Sequence, residues 1–217
     1  QRFDYKVDFV GHPLLDAIAN SPEYSAKLNI TTNKPVIALL PGSRKQEIST
    51  VLPLMLAMQK HYTNYEFVIA GAPSQSPEFY RTFTKDHNVK IVFNQTYQLL
   101  QKAKAAMVTS GTATLEAALF NVPEVVCYKG GAISYAIAKQ LIKVKYISLV
   151  NLIMDKEVVK ELIQHELNEK NLKIELDKLL DPAGRNKIMQ SYNELKQVLG
   201  GEGASKKAAA LMINYLK

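Results

Sequence analysis

An α/β architecture, a doubly wound parallel sheet with added helices towards the carboxyl terminus, is predicted by three observations. Short apolar runs alternate with amphipathic stretches from Val36 to Tyr128; two of the junctions, Pro41-Gly42-Ser43 and Ser110-Gly111-Thr112, are glycine turns; and beyond Gly130 the pattern turns helical. A chain of 217 residues with 47% hydrophobic side chains can bury one sizeable core and a small appendage, so two full domains are not expected.

Residues 1–10 alternate Phe3, Tyr5, Val7 and Phe9, an extended pattern. A turn at Gly11-His12-Pro13 leads into a short helix from Leu14 to Ala19, and residues 1–20 read as a linker or hinge. With no initiator Met and a strand pattern before any helix, the chain is expected to be cut from something longer. Val36 to Leu40 is the first buried strand, stopped by Pro41 and Gly42. Ile48, Val51, Leu52, Met55 and Leu56 recur at helical spacing through about Lys60, with the effect of Pro53 left open by the sequence. The alternation continues with strands at Tyr65 to Ala70, Val89 to Phe93, Ala105 to Thr109 and Glu124 to Tyr128. Helices at Pro77 to His87, Thr96 to Lys104 and Thr112 to Phe120 lie between them. Further helices are expected at Ile133 to Ile142, Lys156 to His165, Asn171 to Leu180, Pro182 to Leu199 and Ser205 to Leu216, with Tyr146 to Leu152 a loop.

A strand that runs into a glycine turn and then a helix presents unpaired backbone N–H groups at the positive end of a helix dipole, a natural seat for an anion. Gly42, Ser43 and Arg44 form one such seat, and the guanidinium sharpens the case for a phosphate. Ser110, Gly111 and Thr112 repeat the arrangement. In the strand order 3-2-1-4-5 the two turns face each other where the winding reverses, at the carboxyl ends of the strands. Glu116, in the first turn of the second helix, can accept hydrogen bonds from a sugar diol, although the helix dipole alone also favours an acid there.

Other chemistry is disfavoured. The net charge is +7, but the 27 basic residues are scattered and nucleic acid is not implied. Cys127 sits inside the apolar run Val125-Val126-Cys127-Tyr128 and reads as a core residue. His12, His61, His87 and His165 have no metal-ligand spacing, so no metal or cofactor site is expected. His12 reads as a packed or solvated turn residue. Neither loop is G-x-G-x-x-G, which argues against a dinucleotide dehydrogenase. No apolar run reaches the roughly 18 residues of a membrane span. Lys129, Lys139, Lys143 and Lys145 with Tyr135, Ile142 and Tyr146 suit an anionic lipid surface, or equally a solvated helix face.

The set Gly11-His12-Pro13, Leu39 to Arg44 with Glu47, Ser110 to Glu116, Tyr128-Lys129, Tyr146 to Leu152 and Glu161 to Gln164 resembles lipid-A-disaccharide synthase, in its carboxyl-terminal half. The resemblance implies a Rossmann-like half of a GT-B glycosyltransferase. Residues 21–200 would bind the UDP-sugar, and residues 201–217 would form a helix that packs on the absent amino-terminal half. The implied reaction joins the donor UDP-2,3-diacylglucosamine to 2,3-diacylglucosamine 1-phosphate, a lipid acceptor held mainly by the absent half, which would also carry the catalytic base. The implied location is cytoplasmic, peripheral to the inner membrane. By position, Ser43 and Arg44 would hold the diphosphate, with Arg44 stabilising the leaving group. Gly42 and the Ser110, Gly111 and Thr112 turn would support it, Glu116 would bind the ribose, Asn151 would approach the donor, and Glu161 and Gln164 would share one helical face. The chain departs from the family pattern at Val150, where proline is usual, and at Glu124, where an apolar residue is usual. Another UDP-sugar transferase or epimerase half, or a non-catalytic nucleotide-binding module, would share the same diphosphate logic.

Overall fold

The computed structural model describes residues 7–21, 27–130 and 145–216. Its centre is a six-stranded parallel sheet of order β3-β2-β1-β4-β5-β6. The strands are β1 (Val36–Leu40), β2 (Glu66–Gly71), β3 (Lys90–Phe93), β4 (Ala103–Thr109), β5 (Glu124–Tyr128) and β6 (Lys160–Ile163). The helices are α1 (Pro13–Ala19), α2 (Lys45–Leu56), α3 (Pro77–Thr84), α4 (Thr96–Lys102), α5 (Thr112–Leu119), α6 (Leu149–Met154), α7 (Glu169–Leu180), α8 (Pro182–Leu199) and α9 (Ala204–Tyr215).

Each strand feeds both faces because side chains alternate. Ile37, Leu39, Phe67, Ile69, Met107, Val125 and Cys127 pack on one side against Ile48, Leu52 and Met55 of α2 and Leu172 and Leu176 of α7. Ala38, Leu40, Val68, Ala106 and Val108 pack on the other side against Leu99 of α4 and Ala117 of α5. A third cluster joins Leu115, Val126, Val150 and Val159 to Tyr192, Leu195 and Leu199 of α8. Leu14 of α1 packs into this cluster, so α1 is docked on the body. Cys127 is fully buried, as its apolar neighbours imply, and burial pushes its thiol pKa up.

Four expectations require correction. The stretch expected to be a helix from Lys156 to His165 is instead strand β6 followed by a 3-10 turn over Gln164–Glu166. Its Val158, Val159 and Ile163 are β-branched, and β5 offers an open edge that pairs Val126 with Glu161 and Cys127 with Leu162. The expected loop from Tyr146 to Leu152 contains α6, which Ser148 caps through Oγ to the Asn151 N–H. Ala103 and Lys104 belong to β4, not to the preceding helix, because β1 supplies a partner at Val36 that outweighs alanine's helical preference. Residues 7–10, expected as a strand, have no regular structure, and Val7 and Phe9 are exposed. The expected helix from Ile133 to Ile142, like Phe3 and Tyr5, lies outside the described residues.

Pro53 sits inside α2 on its exposed side, and the helix gives way after Leu56 to a 3-10 turn, Ala57–His61. His12 caps α1 by accepting a hydrogen bond at Nδ1 from the Leu14 N–H at 3.2 Å. Its own N–H donates to the Leu199 carbonyl, so it serves the turn.

Candidate functional site

β1 and β4 are hydrogen-bonded neighbours, and the connections from them run to α2 and α5. The two glycine turns therefore open at the same end of the sheet. Between them lies a cleft of about 440 Å3, within the usual range for a small-molecule site. Gly42, Ser43, Arg44 and Glu47 line one wall; Ser110, Gly111, Thr112 and Glu116 line the other.

The backbone is shaped for close approach on both walls. Gly42 has φ 98°, a left-handed backbone that strains any other residue, and a Cβ there would displace the Glu47 carboxylate, whose Oε2 lies 2.7 Å away. Gly111 has φ 153° and faces open space, with no atom within 4 Å of where its Cβ would stand. Neither Arg44, which precedes α2, nor Gly111, which precedes α5, caps its helix with a side chain. No side chain therefore occupies the N–H groups at the start of either helix, which are open to a ligand or water apart from that of Thr114, which donates to the Gly111 carbonyl at 3.2 Å.

The charged groups are held in place. Arg44 is 81% exposed and donates from its guanidinium to Glu47 at 3.2 Å, one turn along the helix. The Ser43 carbonyl accepts from Gln75 Nε2 at 3.0 Å and from Ser74 Oγ at 3.3 Å, tying the first turn to the loop after β2. On the facing wall Glu116 accepts from the Tyr97 hydroxyl at 3.4 Å, and Ser110 Oγ donates to the Ile147 carbonyl at 2.7 Å. Thr114 Oγ1 donates back to the Gly111 carbonyl at 2.8 Å. One cation and two helix ends facing the same space can balance the charge of a diphosphate, and Glu116 offers an acceptor for hydroxyls. Among the described residues, no three His, Cys, Asp or Glu side chains converge as a metal site would require.

Sequence reasoning missed part of the wall. Ala70 and Gly71 at the end of β2, Ala72 and Pro73 after it, Thr96, and Thr109 at the end of β4 also line the cleft. Thr109 is 4% exposed, and its hydroxyl lacks a partner among the described residues, so it is an unsatisfied group on the cleft floor. The stretch Gly71-Ala72-Pro73-Ser74 was a signal, being a third glycine-containing turn at the carboxyl end of a strand.

Asn151, Glu161 and Gln164 are not among the cleft-lining residues. The expectation that Asn151 reaches a donor gives way to a buried network: its Nδ2 donates to the Val159 carbonyl and Glu161 Oε1, and its Oδ1 accepts from the N–H groups of Val158 and Val159. Its hydrogen-bonding groups are all engaged by protein. Glu161 and Gln164 do not share a helical face, since β6 ends between them; Gln164 has φ 54° and donates to the Gly130 carbonyl at 3.3 Å. No helix among the described residues is long and apolar enough to cross a membrane. Of the basic and aromatic patch, Lys139, Lys143, Tyr135 and Ile142 lie outside the described residues, and Lys145 pairs with Asp155 at 3.2 Å.

Comparison with known proteins places this geometry in context. A family model described as lipid-A-disaccharide synthetase matches residues 1–214. The chain is 35% identical to the lipid-A-disaccharide synthase of Syntrophus aciditrophicus (strain SB), covering 97% of this chain and 58% of that protein. It is 34% identical to the enzyme of the same name from Psychromonas ingrahamii, covering 99% and 59% respectively. The chain therefore spans a little under three fifths of the length of these curated relatives. Among solved structures, the S. aureus MnaA-UDP co-structure superposes with a TM-score of 0.65 at 16% identity, over 99% of this chain and 56% of that one. A putative UDP-N-acetylglucosamine 2-epimerase from Listeria monocytogenes gives 0.59 at 16% identity, over 95% and 53%. These likenesses establish a shared α/β fold.

Proposed function

The chain belongs to the lipid-A-disaccharide synthetase family, and we propose that it forms the nucleotide-binding part of a glycosyltransferase joining UDP-2,3-diacylglucosamine to 2,3-diacylglucosamine 1-phosphate, with release of UDP. The observation that carries this reading is the single cleft lined by Arg44 on one side and the Gly111 turn on the other. A neighbour of the same fold is described with UDP, which supports the choice of nucleotide.

In this reading Ser43 and Arg44 hold the diphosphate, the Ser110 to Thr112 turn supports it from the facing wall, and Glu116 accepts hydrogen bonds from the ribose. Displacement at the anomeric carbon breaks its bond to the UDP oxygen, and negative charge grows on the departing diphosphate. Arg44 and the ends of α2 and α5 stabilise that charge. Glu47 keeps the guanidinium over the turn before the ligand arrives, which limits the reorganisation needed. The proton of the acceptor 6-hydroxyl goes to a base carried by a part of the enzyme beyond this chain, which also presents the acceptor lipid. Contact with an anionic inner-membrane surface through the Lys129 to Lys145 region belongs to the same proposal. Sedimentation with anionic vesicles, retained at low salt and lost at high salt, supports it, and no sedimentation at either salt removes it.

Titration calorimetry with UDP tests the central reading. Arg44→Ala is expected to weaken binding by roughly 1.5–3 kcal/mol, the usual range for hydrogen bonds to a charged group. An unchanged affinity takes Arg44 out of the site.

A further inference from the structure

We propose that Glu161 is a positioning residue for the cleft, acting through Ile147 on the phosphate-facing Ser110. The proposal rests on the nucleotide reading given above. Glu161 lies in β6, is 7% exposed, and is absent from the cleft wall. Four donors converge on its carboxylate. Oε1 accepts from the Ser148 N–H at 2.9 Å, Ser148 Oγ at 2.7 Å and Asn151 Nδ2 at 2.9 Å, while Oε2 accepts from the Ile147 N–H at 2.9 Å. Ile147 in turn accepts the Ser110 hydroxyl proton on its carbonyl at 2.7 Å. One residue, Ile147, is thus gripped at its N–H by Glu161 and offers its carbonyl to Ser110, which lines the cleft.

The anchor matters because it fixes the strand side of the turn, the helix side being held by Thr114, whose N–H and Oγ1 both donate to the Gly111 carbonyl. Gly111 at φ 153° touches nothing where a side chain would be, and glycine moves freely among conformations unless something outside it intervenes. The Ser110 bond to Ile147 holds the strand end of that turn, beside the N–H groups at the start of α5. Asn151 acts as a brace: its amide spans Glu161 and the Val158-Val159 backbone, closing the network. A turn already held in its binding geometry gives up less freedom when a ligand arrives.

Glu161→Gln separates positioning from bulk. The amide keeps the size of the side chain but has one oxygen, which is best placed where three donors meet. Its NH2 then faces the Ile147 N–H, donor against donor, and that single link is lost. UDP affinity is read by calorimetry in wild type, Glu161→Gln, Ser110→Ala and the double variant, at a temperature where melting curves show all four folded. Each single variant is expected to weaken UDP about 3- to 10-fold, the scale of one hydrogen bond. The double variant is expected to be no weaker than the poorer single, because both break one chain of contacts. A double variant that loses the product of the two effects, or a Glu161→Gln protein that binds like wild type, overturns the proposal. A purely structural Glu161 would lower the melting temperature and leave the affinity of the folded protein unchanged, which is the same overturning result. Should Glu161→Gln fail to fold, Glu161→Asp, which keeps the charge but is one methylene too short to reach both Ile147 and the Ser148 and Asn151 donors, takes its place in the cycle, with the same expected and overturning results. Arg44→Ala in parallel keeps the two readings apart: if it too leaves UDP binding intact, the nucleotide assignment fails, and if only it weakens binding, the relay alone fails.

Discussion

At the residue scale the cleft is an arrangement of small necessities. Gly42 is favoured because its φ is positive, and a Cβ would push aside Glu47, the residue that pairs with Arg44. Glu124 poses a different problem. It is wholly buried at the start of β5, and among the described residues neither carboxylate oxygen has a hydrogen-bond partner. The nearby Tyr192 hydroxyl donates instead to the Val122 carbonyl at 3.3 Å. Burial raises the Glu124 pKa well above its ordinary value of 4.5. With the folded-state pKa above the unfolded one, the contribution of Glu124 is most favourable below about pH 4.5 and is lost as pH rises towards the folded pKa. Glu124→Leu is therefore expected to stabilise the chain at neutral pH by about 1–3 kcal/mol, with the gain shrinking towards pH 4.5. Denaturant melts across that pH range check it; a gain independent of pH would show that Glu124 does not titrate as argued. This buried acid and its apolar replacement were legible as a departure at position 124, but the absence of a partner was not.

Elements with strong periodicity were read well from sequence, and elements that depend on a distant neighbour were not. Helix α8 (Pro182–Leu199) has its stop and start signals in hand: Asp181 caps it through the Ala183 and Gly184 N–H groups, Pro182 opens it, and Gly200 closes it. β6 had no such local signature. Four residues of mixed polarity become a strand only because β5 presents an edge, and Glu161 is then turned into the network under α6 instead of onto a helix surface. Pro53 shows the reverse case, a local signal overruled by packing. It removes the bond to the Ser49 carbonyl, yet α2 continues because Val51, Leu52, Met55 and Leu56 are buried around it and Ser49 is exposed to water. Pro53→Ala is expected to stabilise the fold by about 1–3 kcal/mol, read as a higher urea midpoint with an unchanged slope. A loss of stability would show that the proline shapes the bend into the 3-10 turn.

At the scale of the whole molecule, the cleft couples two halves of the winding, since β1 with α2 and β4 with α5 each contribute one wall. Saturating UDP should therefore stabilise the entire sheet, by about 2.7 kcal/mol at a hundredfold excess over Kd, visible as a rise of several degrees in melting temperature. No rise would leave the cleft without its nucleotide. α9 stands at the other extreme. Asp16 holds its start by accepting from the Gly203 and Ser205 N–H groups, at 2.6 and 2.9 Å, and Ala204 is buried, but Met212, Ile213, Tyr215 and Leu216 are exposed. In hydrogen exchange its amides are expected to open well before those of β1 and β4. Protection equal to the sheet would contradict the proposal that this helix packs on a segment beyond this chain.

The sequence alone determined the class of fold, the position of the first five strands and both glycine turns, because these are written in runs of adjacent residues: apolar stretches, a glycine at a strand end, an arginine beside it. Tertiary structure decided what adjacency cannot express. It made a strand of Lys160–Ile163, it filled the cleft wall with Thr96 and Thr109, and it took Asn151 and Glu161 away from the surface into a buried network. The physical reason is that a polar side chain goes where its hydrogen bonds can be met, and for these residues the partners lie far along the chain or in the backbone of a neighbouring element.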